Sequence, residues 1–292
     1  MNKSFIELKN NRAKDALRLR EVSRFDLGTH ARTKLQLAGC ANSETLLHRI
    51  EAKKHGAHMA SIFEKHWTKH GGRGAKERLR MLTVLDSVTT LHAGKILKRV
   101  EVMEEQIKKW LYGKKVFLIA AVEIEFVNIA FLEKVNEQGV VEKRKFEVLK
   151  SMTNEKGSAA LVHFHGIIDA MDNDLDALAD DAREIWNGKY AVDFQKTYNN
   201  RSVAANAAKI CVYATKGGND FLRYKTGFGR ETDEDLDGKM WRAGQGRADR
   251  GGETVSDERG LTLGEIRLLD AAYTAIQVRK RGMRGHELIK SI

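Results

Sequence analysis

The stretch Ala159-Ala-Leu-Val-His-Phe-His-Gly-Ile-Ile168 decides the fold. It is apolar on both sides of the alternation, which is the pattern of a fully buried β-strand. Successive side chains point to opposite faces of a strand. His163 and His165 therefore share one face, and Val162, Phe164 and Ile168 share the other. Two imidazoles one pleat apart can bind a single metal ion. Taken alone, such a pair more often marks one hydrogen-bonded core histidine and an incidental neighbour. Its meaning depends on the rest of the chain.

Upstream, residues 79–85 read as a short strand carrying Thr83. A long helix is expected over 87–112, because Leu91, Ile96, Val100, Met103, Ile107 and Leu111 recur at helical spacing before Gly113. Residues 116–127 form the second clear strand. Glu123 and Glu125 share one of its faces, opposite Val122, Ile124 and Phe126. A carboxylate on so apolar a strand is costly unless it is paired, metal-bound or at a solvent edge. The polar stretch 128–158 is ambiguous: Phe146, Leu149 and Met152 fit one helical face or an edge strand.

Downstream, Asp172, Asp174 and Asp176 imitate a calcium loop. Ala177 and Arg183 stand where such a loop needs Gly and Glu, so a helix N-terminus is the better reading. That helix runs through Leu178 and Ala182 to Ile185, and 190–194 is a further strand. A helix follows over 203–216. Ala204, Ala207, Ala208 and Cys211 give it a close-packing face, while Lys209, Tyr213 and Lys216 fall together at helical spacing. Two lysines beside a phenol favour phosphate charge and the phenolate. The plainer alternative is a surface tyrosine between solvated lysines.

The flanks are helical and basic. Helices are expected at 13–22, 43–54 (with Ser43 as N-cap) and 57–69, before a Gly-rich break at 71–74. His48, His55, His58, His66 and His70 crowd this region with Cys40. Their spacings fit no metal site type, so they read as solvent-facing or phosphate-contacting. Residues 229–260 read as a loop, 261–278 as an amphipathic helix, and Arg279, Lys280, Arg281 and Arg284 as a basic tail. The chain thus divides into a basic helical region (1–77), a central domain (78–230), and a linker with a C-terminal helix and basic tail (231–292).

With 51 Lys and Arg against 40 Asp and Glu, the net charge is +11, which suits a polyanionic partner such as nucleic acid. Two distant cysteines exclude a disulfide framework and any CxxC zinc pattern, and a reducing cytoplasm is expected. No apolar run is long enough to span a membrane. Proline is absent, where average usage predicts about fifteen, so Gly and Asn must punctuate the elements.

The order of these features resembles the HUH endonuclease superfamily, and within it the single-tyrosine rolling-circle replication initiators. The family's first motif, a hydrophobic strand with a threonine, has its counterpart in Met81-Leu82-Thr83-Val84-Leu85. Its second, His-hydrophobic-His, is His163-Phe164-His165. Its third, Tyr-x-x-Lys on a helix, is Tyr213-Ala214-Thr215-Lys216. The resemblance covers about residues 79–228. It implies an α+β fold, a central antiparallel β-sheet with flanking helices, here with extra helical segments at both ends. It implies a divalent metal, Mn²⁺ or Mg²⁺, held by His163, His165 and a carboxylate. Glu123 fits that place best, then Glu125, with Glu147 and Glu155 more remote.

It further implies nicking of single-stranded or hairpin origin DNA by Tyr213 with Lys216 in support, and a host polymerase to extend the 3′ end. Lys209 would assist at the phosphate, Phe164 or Tyr198 would stack on bases, and Gly166 would let the DNA backbone pass close by. No G-x-x-x-x-G-K-[ST] occurs, so unwinding would need a host helicase. A relaxase normally carries its tyrosine before the histidines, the reverse of the order here. A small single-tyrosine transposase shares the order but lacks such flanks. A non-catalytic origin-binding protein is the alternative from another class.

Overall fold

The histidine run is the middle strand of one antiparallel sheet in a computed structural model of the chain. The structure describes residues 34–40, 42–72, 74–137, 143–186, 190–198, 200–215, 261–279 and 287–290. The expected helix at 13–22, Lys216, the loop at 229–260, and Lys280, Arg281 and Arg284 lie outside the described residues. The strands are β1 (Leu79–Thr90), β2 (Phe117–Asn128), β3 (Ser158–Asp169), β4 (Val192–Lys196) and β5 (Glu287–Lys290), in the order β4-β1-β3-β2-β5. All neighbours are antiparallel. The helices are α1 (Arg49–His70), α2 (Ala93–Trp110), α3 (Ile129–Glu137), α4 (Lys143–Ser151), α5 (Leu175–Ile185), α6 (Val203–Ala214) and α7 (Leu263–Arg279). Helix α2 connects β1 to β2, and α5 and β4 follow β3. The first four strands thus make the split β-α-β-β-α-β arrangement, a scaffold shared by many unrelated functions.

The two faces of the sheet are unlike. On one, Val84, Leu118, Val122, Ile124, Val162, Phe164 and Ile168 pack against Ile96 and Val100 of α2, Leu178 and Ala182 of α5, and Ile266, Leu269 and Tyr273 of α7. On the other, Phe117, Ile119, Ala121 and Ile167 meet Met59 and Phe63 of α1 and Ala204, Ala207 and Cys211 of α6. Further along that second face, Val127, Ala159 and Leu161 meet Ile129 and Leu132 of α3 and Phe146 and Leu149 of α4. Between these two apolar patches lie Glu123, Glu125, His163 and His165. The N- and C-terminal helices α1 and α7 share the cores of the sheet, so the described flanks belong to its packing.

Several elements differ from their sequence expectation. Strand β1 runs on to Thr90, where a helix was expected from 87. The pairing with β3 shifts between Leu85 and Ser87, and the extra residue Asp86 breaks the alternation that marks a strand. Asp86 accepts hydrogen bonds from Arg99 (2.9 Å), Ser87 (2.8 Å) and the Trp186 indole (3.2 Å). The two expected helices at 43–54 and 57–69 are instead the single α1, which continues through Gly56. Ser43 caps no helix there; its hydroxyl donates to Asp270 of α7. Of the ambiguous 128–158 stretch, Ile129–Glu137 and Lys143–Ser151 are helical, with Phe146 and Leu149 buried on one face of the second helix. Asp174 caps α5 by accepting from the Ala177 amide at 2.8 Å, as the helix-start reading requires.

Gly166 has a different purpose from the one expected. A Cβ at this position would lie 2.3 Å from the Ile119 carbonyl oxygen and 2.5 Å from Ala120 Cβ. The space beside Gly166 is filled by β2, not left for DNA, and the residue permits close approach of the two strands. Gly166→Ala is expected to lower stability by about 1–3 kcal/mol through overpacking, read from urea unfolding midpoints. No helix among the described residues is long and apolar enough to cross a membrane.

Candidate metal centre

The register of β2 and β3 sets Glu123 directly across from His163, and the register of β1 and β3 sets Thr83 across from His165. Cross-strand partners on one face are close neighbours, so three strands supply one cluster. His163 Nε2 and His165 Nε2 each lie 3.1 Å from the same atom, Glu123 Oε2. The two rings stand almost perpendicular at 88°, with centroids 4.8 Å apart, and aim their nitrogens at that oxygen from different directions. Glu125 Oε2 is 3.8 Å from His163 Nε2. Thr83 Oγ1 is 2.8 Å from His165 Nδ1.

This cluster is buried. Glu123 is 0 % exposed, His163 1 % and His165 8 %. A buried carboxylate is expensive unless its charge is met. Two imidazoles meet part of it. One ligand atom from each of Glu123, His163 and His165 lies within 4.8 Å of the others, so the group can hold a metal ion. The donor set fits. Two neutral imidazole nitrogens and a carboxylate oxygen suit first-row divalent ions and, less selectively, Mg²⁺. His163 Nδ1 is buried with no hydrogen-bond partner among the described residues.

Of the acids left open by the sequence, Glu123 occupies the centre and Glu125 borders it. Glu147 is exposed on α4, and Glu155 accepts from the Thr90 hydroxyl at 2.7 Å, so neither joins the group. Glu123→Gln or His163→Gln is expected to weaken Mn²⁺ binding at least about 100-fold by calorimetric titration, beyond the loss typical of an outer-shell partner. Glu125→Gln is expected to cost only about tenfold, the measure of a bordering group.

The other expected site residues divide. Tyr213 lies in the last turn of α6, which packs on β3 and β2 over the face that carries the cluster. Its side chain, like the whole of Lys216, lies outside the described residues. Lys209 holds its ammonium 4.5 Å from the centre of the Tyr198 ring, and Arg201 sits 5.1 Å from the same ring. Phe164 does not reach the site. Strand alternation sends it to the opposite face, where it is 0 % exposed and meets Trp186 at a centroid distance of 5.9 Å. A base cannot stack on it there.

His66 is also displaced from its expected role. It is buried, not solvent-facing: its Nε2 lies 2.8 Å from Asp169 Oδ2 at the end of β3. Arg78 donates to both oxygens of the same carboxylate, at 2.6 and 3.2 Å, and the Met171 amide donates to one at 3.0 Å. Burial alone would raise the pKa of Asp169. The hydrogen bonds from His66, Arg78 and Met171 outweigh it and hold the carboxyl below its ordinary range.

Two contacts beside the candidate centre were not apparent from the sequence. Thr83 was expected only as the threonine of the first motif, and its contact with His165 was not. Tyr273 of α7, wholly buried, accepts from the Ile124 amide at 3.0 Å, between the two glutamates, across 149 residues of chain. Comparison with models of known protein families, with curated proteins and with solved structures gives no match.

Proposed function

We propose that the chain is a metal-dependent endonuclease of the HUH type that nicks single-stranded origin DNA and starts rolling-circle replication. The observation that carries this reading is the convergence of His163 and His165 on Glu123, on the sheet face covered by the helix that bears Tyr213. The net charge of +11 suits a DNA partner. Glu123, His163 and His165 would hold Mn²⁺ or Mg²⁺, with Glu125 as a neighbouring oxygen. A divalent ion bound there supplies Lewis-acid polarisation of a phosphodiester oxygen.

The chain's own residues do the rest. Tyr213 loses its phenolic proton, and its oxygen bonds to phosphorus as the P–O3′ bond breaks. The leaving 3′-oxygen takes up a proton, which leaves a 5′-phosphotyrosine and a free 3′-OH. Lys216 offsets the charge that builds on the phosphate. Exchange of one phosphodiester for another needs no ATP, and a host polymerase would extend the 3′ end.

The test is direct. Wild-type protein is incubated with Mn²⁺ and a labelled pool of single-stranded oligonucleotides, and a DNA adduct that survives SDS is expected. If none forms across many sequences while DNA still binds, the chain is a non-catalytic origin-binding protein.

A further inference from the structure

We infer that Thr83 is the positioning residue that sets which nitrogen of His165 is offered to the metal. The inference rests on the reading of Glu123, His163 and His165 as a metal centre and adds a residue outside the ligand set. A neutral imidazole carries its proton on one nitrogen and a lone pair on the other. Which is which follows from the partner that the far nitrogen finds. His165 presents Nε2 to Glu123 and Nδ1 to the Thr83 hydroxyl, at 3.1 and 2.8 Å. A hydroxyl both donates and accepts, and it rotates to suit.

Two complete arrangements follow. In the metal-free state, Thr83 donates to Nδ1, and the ring proton sits on Nε2, beside Glu123. In the loaded state the proton sits on Nδ1 and donates to Thr83 Oγ1, which frees the Nε2 lone pair to face a cation. In both states Nδ1 keeps Thr83 as its partner, so ion binding leaves no buried donor stranded there. A valine at 83 would keep the shape and lose both arrangements.

The contrast with its neighbour sharpens the point. His163 Nδ1 is buried without a hydrogen-bond partner among the described residues. His165 is thus the ligand whose tautomer the described residues control. The geometry is enforced by pairing, since Thr83 and His165 are register partners in β1 and β3. The bulge at Asp86 follows three residues later in β1, and Arg99 and Trp186 tie it down on the other side of the sheet.

The experiment compares Mn²⁺ affinity by calorimetry in the full chain. Thr83→Val is expected to bind about 10- to 100-fold more weakly, the usual cost of losing an outer-shell partner. Thr83→Ser, which keeps the hydroxyl, is expected to stay within about threefold of wild type. A measurement on unaltered protein stands beside the variants: ring-nitrogen NMR of the Zn²⁺-loaded chain is expected to show the His165 proton on Nδ1. Equal affinity of the valine variant and wild type, or a loaded His165 protonated on Nε2, overturns the inference and leaves the metal centre intact. A wild-type chain that binds no divalent ion overturns both.

Discussion

Tyr213→Phe is expected to form no SDS-resistant DNA adduct, a loss on the order of 10³-fold or more, while its Mn²⁺ affinity stays at the wild-type level. The first half follows from the proposed chemistry. Removal of one hydroxyl deletes the only atom assigned to bond with phosphorus, and loss of a nucleophile is among the largest single-residue effects in catalysis. The second half follows from the fold. The candidate ligand atoms sit on β2 and β3, placed by strand register, and His165 meets Thr83 of β1; Tyr213 supplies none of these contacts. Helix α6 is held by Ala204, Ala207, Cys211 and Ala214, which the substitution leaves in place. Equal adduct yield from the phenylalanine variant would assign the nucleophile elsewhere. A parallel loss of metal affinity would mean that Tyr213 works through the centre's structure. Both readouts come from one preparation.

The parts of this site that were legible in the sequence are those where burial and chemistry collide. Strand β3 is apolar on both sides of its alternation because helices cover both faces of the sheet, and two histidines stand out against such a background. Glu123 and Glu125 stand out for the same reason. The 3.6-residue spacing of Ile96, Val100, Met103 and Ile107 likewise announces α2 without help from its neighbours. What stayed hidden is what depends on distant partners. The second half of β1 was read as helix because Asp86 shifts the alternation, and nothing local shows that Arg99 and Trp186 hold that residue. His66 and His70 lie one turn apart on α1, and spacing alone cannot tell that Asp169, a hundred residues on, meets one of them. Phe164 was offered to DNA although its alternation already sent it away from the histidines. That error lay within reach of the same rule that paired His163 with His165.

Asp169→Asn is expected to destabilise the protein by about 3 kcal/mol or more near neutral pH, since removal of one partner from a buried charge cluster costs about 3–5 kcal/mol. The carboxylate is fully buried and receives bonds from His66, Arg78 and the Met171 amide. It also ties α1 and the short turn Ala75–Arg78 to the end of β3, on the sheet face that carries the candidate metal centre. The pH dependence has a definite sign. A carboxyl held below its ordinary value adds stability that is fully present above the unfolded pKa, about 3.9, and is lost as pH falls through the lower folded value. The gap in unfolding free energy between wild type and variant should therefore be widest near neutrality and should narrow below about pH 4. Urea melts at several pH values check this. A gap that stays constant into acid would mean that the asparagine disturbs packing rather than charge. Because Asp169 lies four residues beyond His165 on the same strand, the variant also separates stability from the centre. Its metal affinity per folded molecule should match wild type.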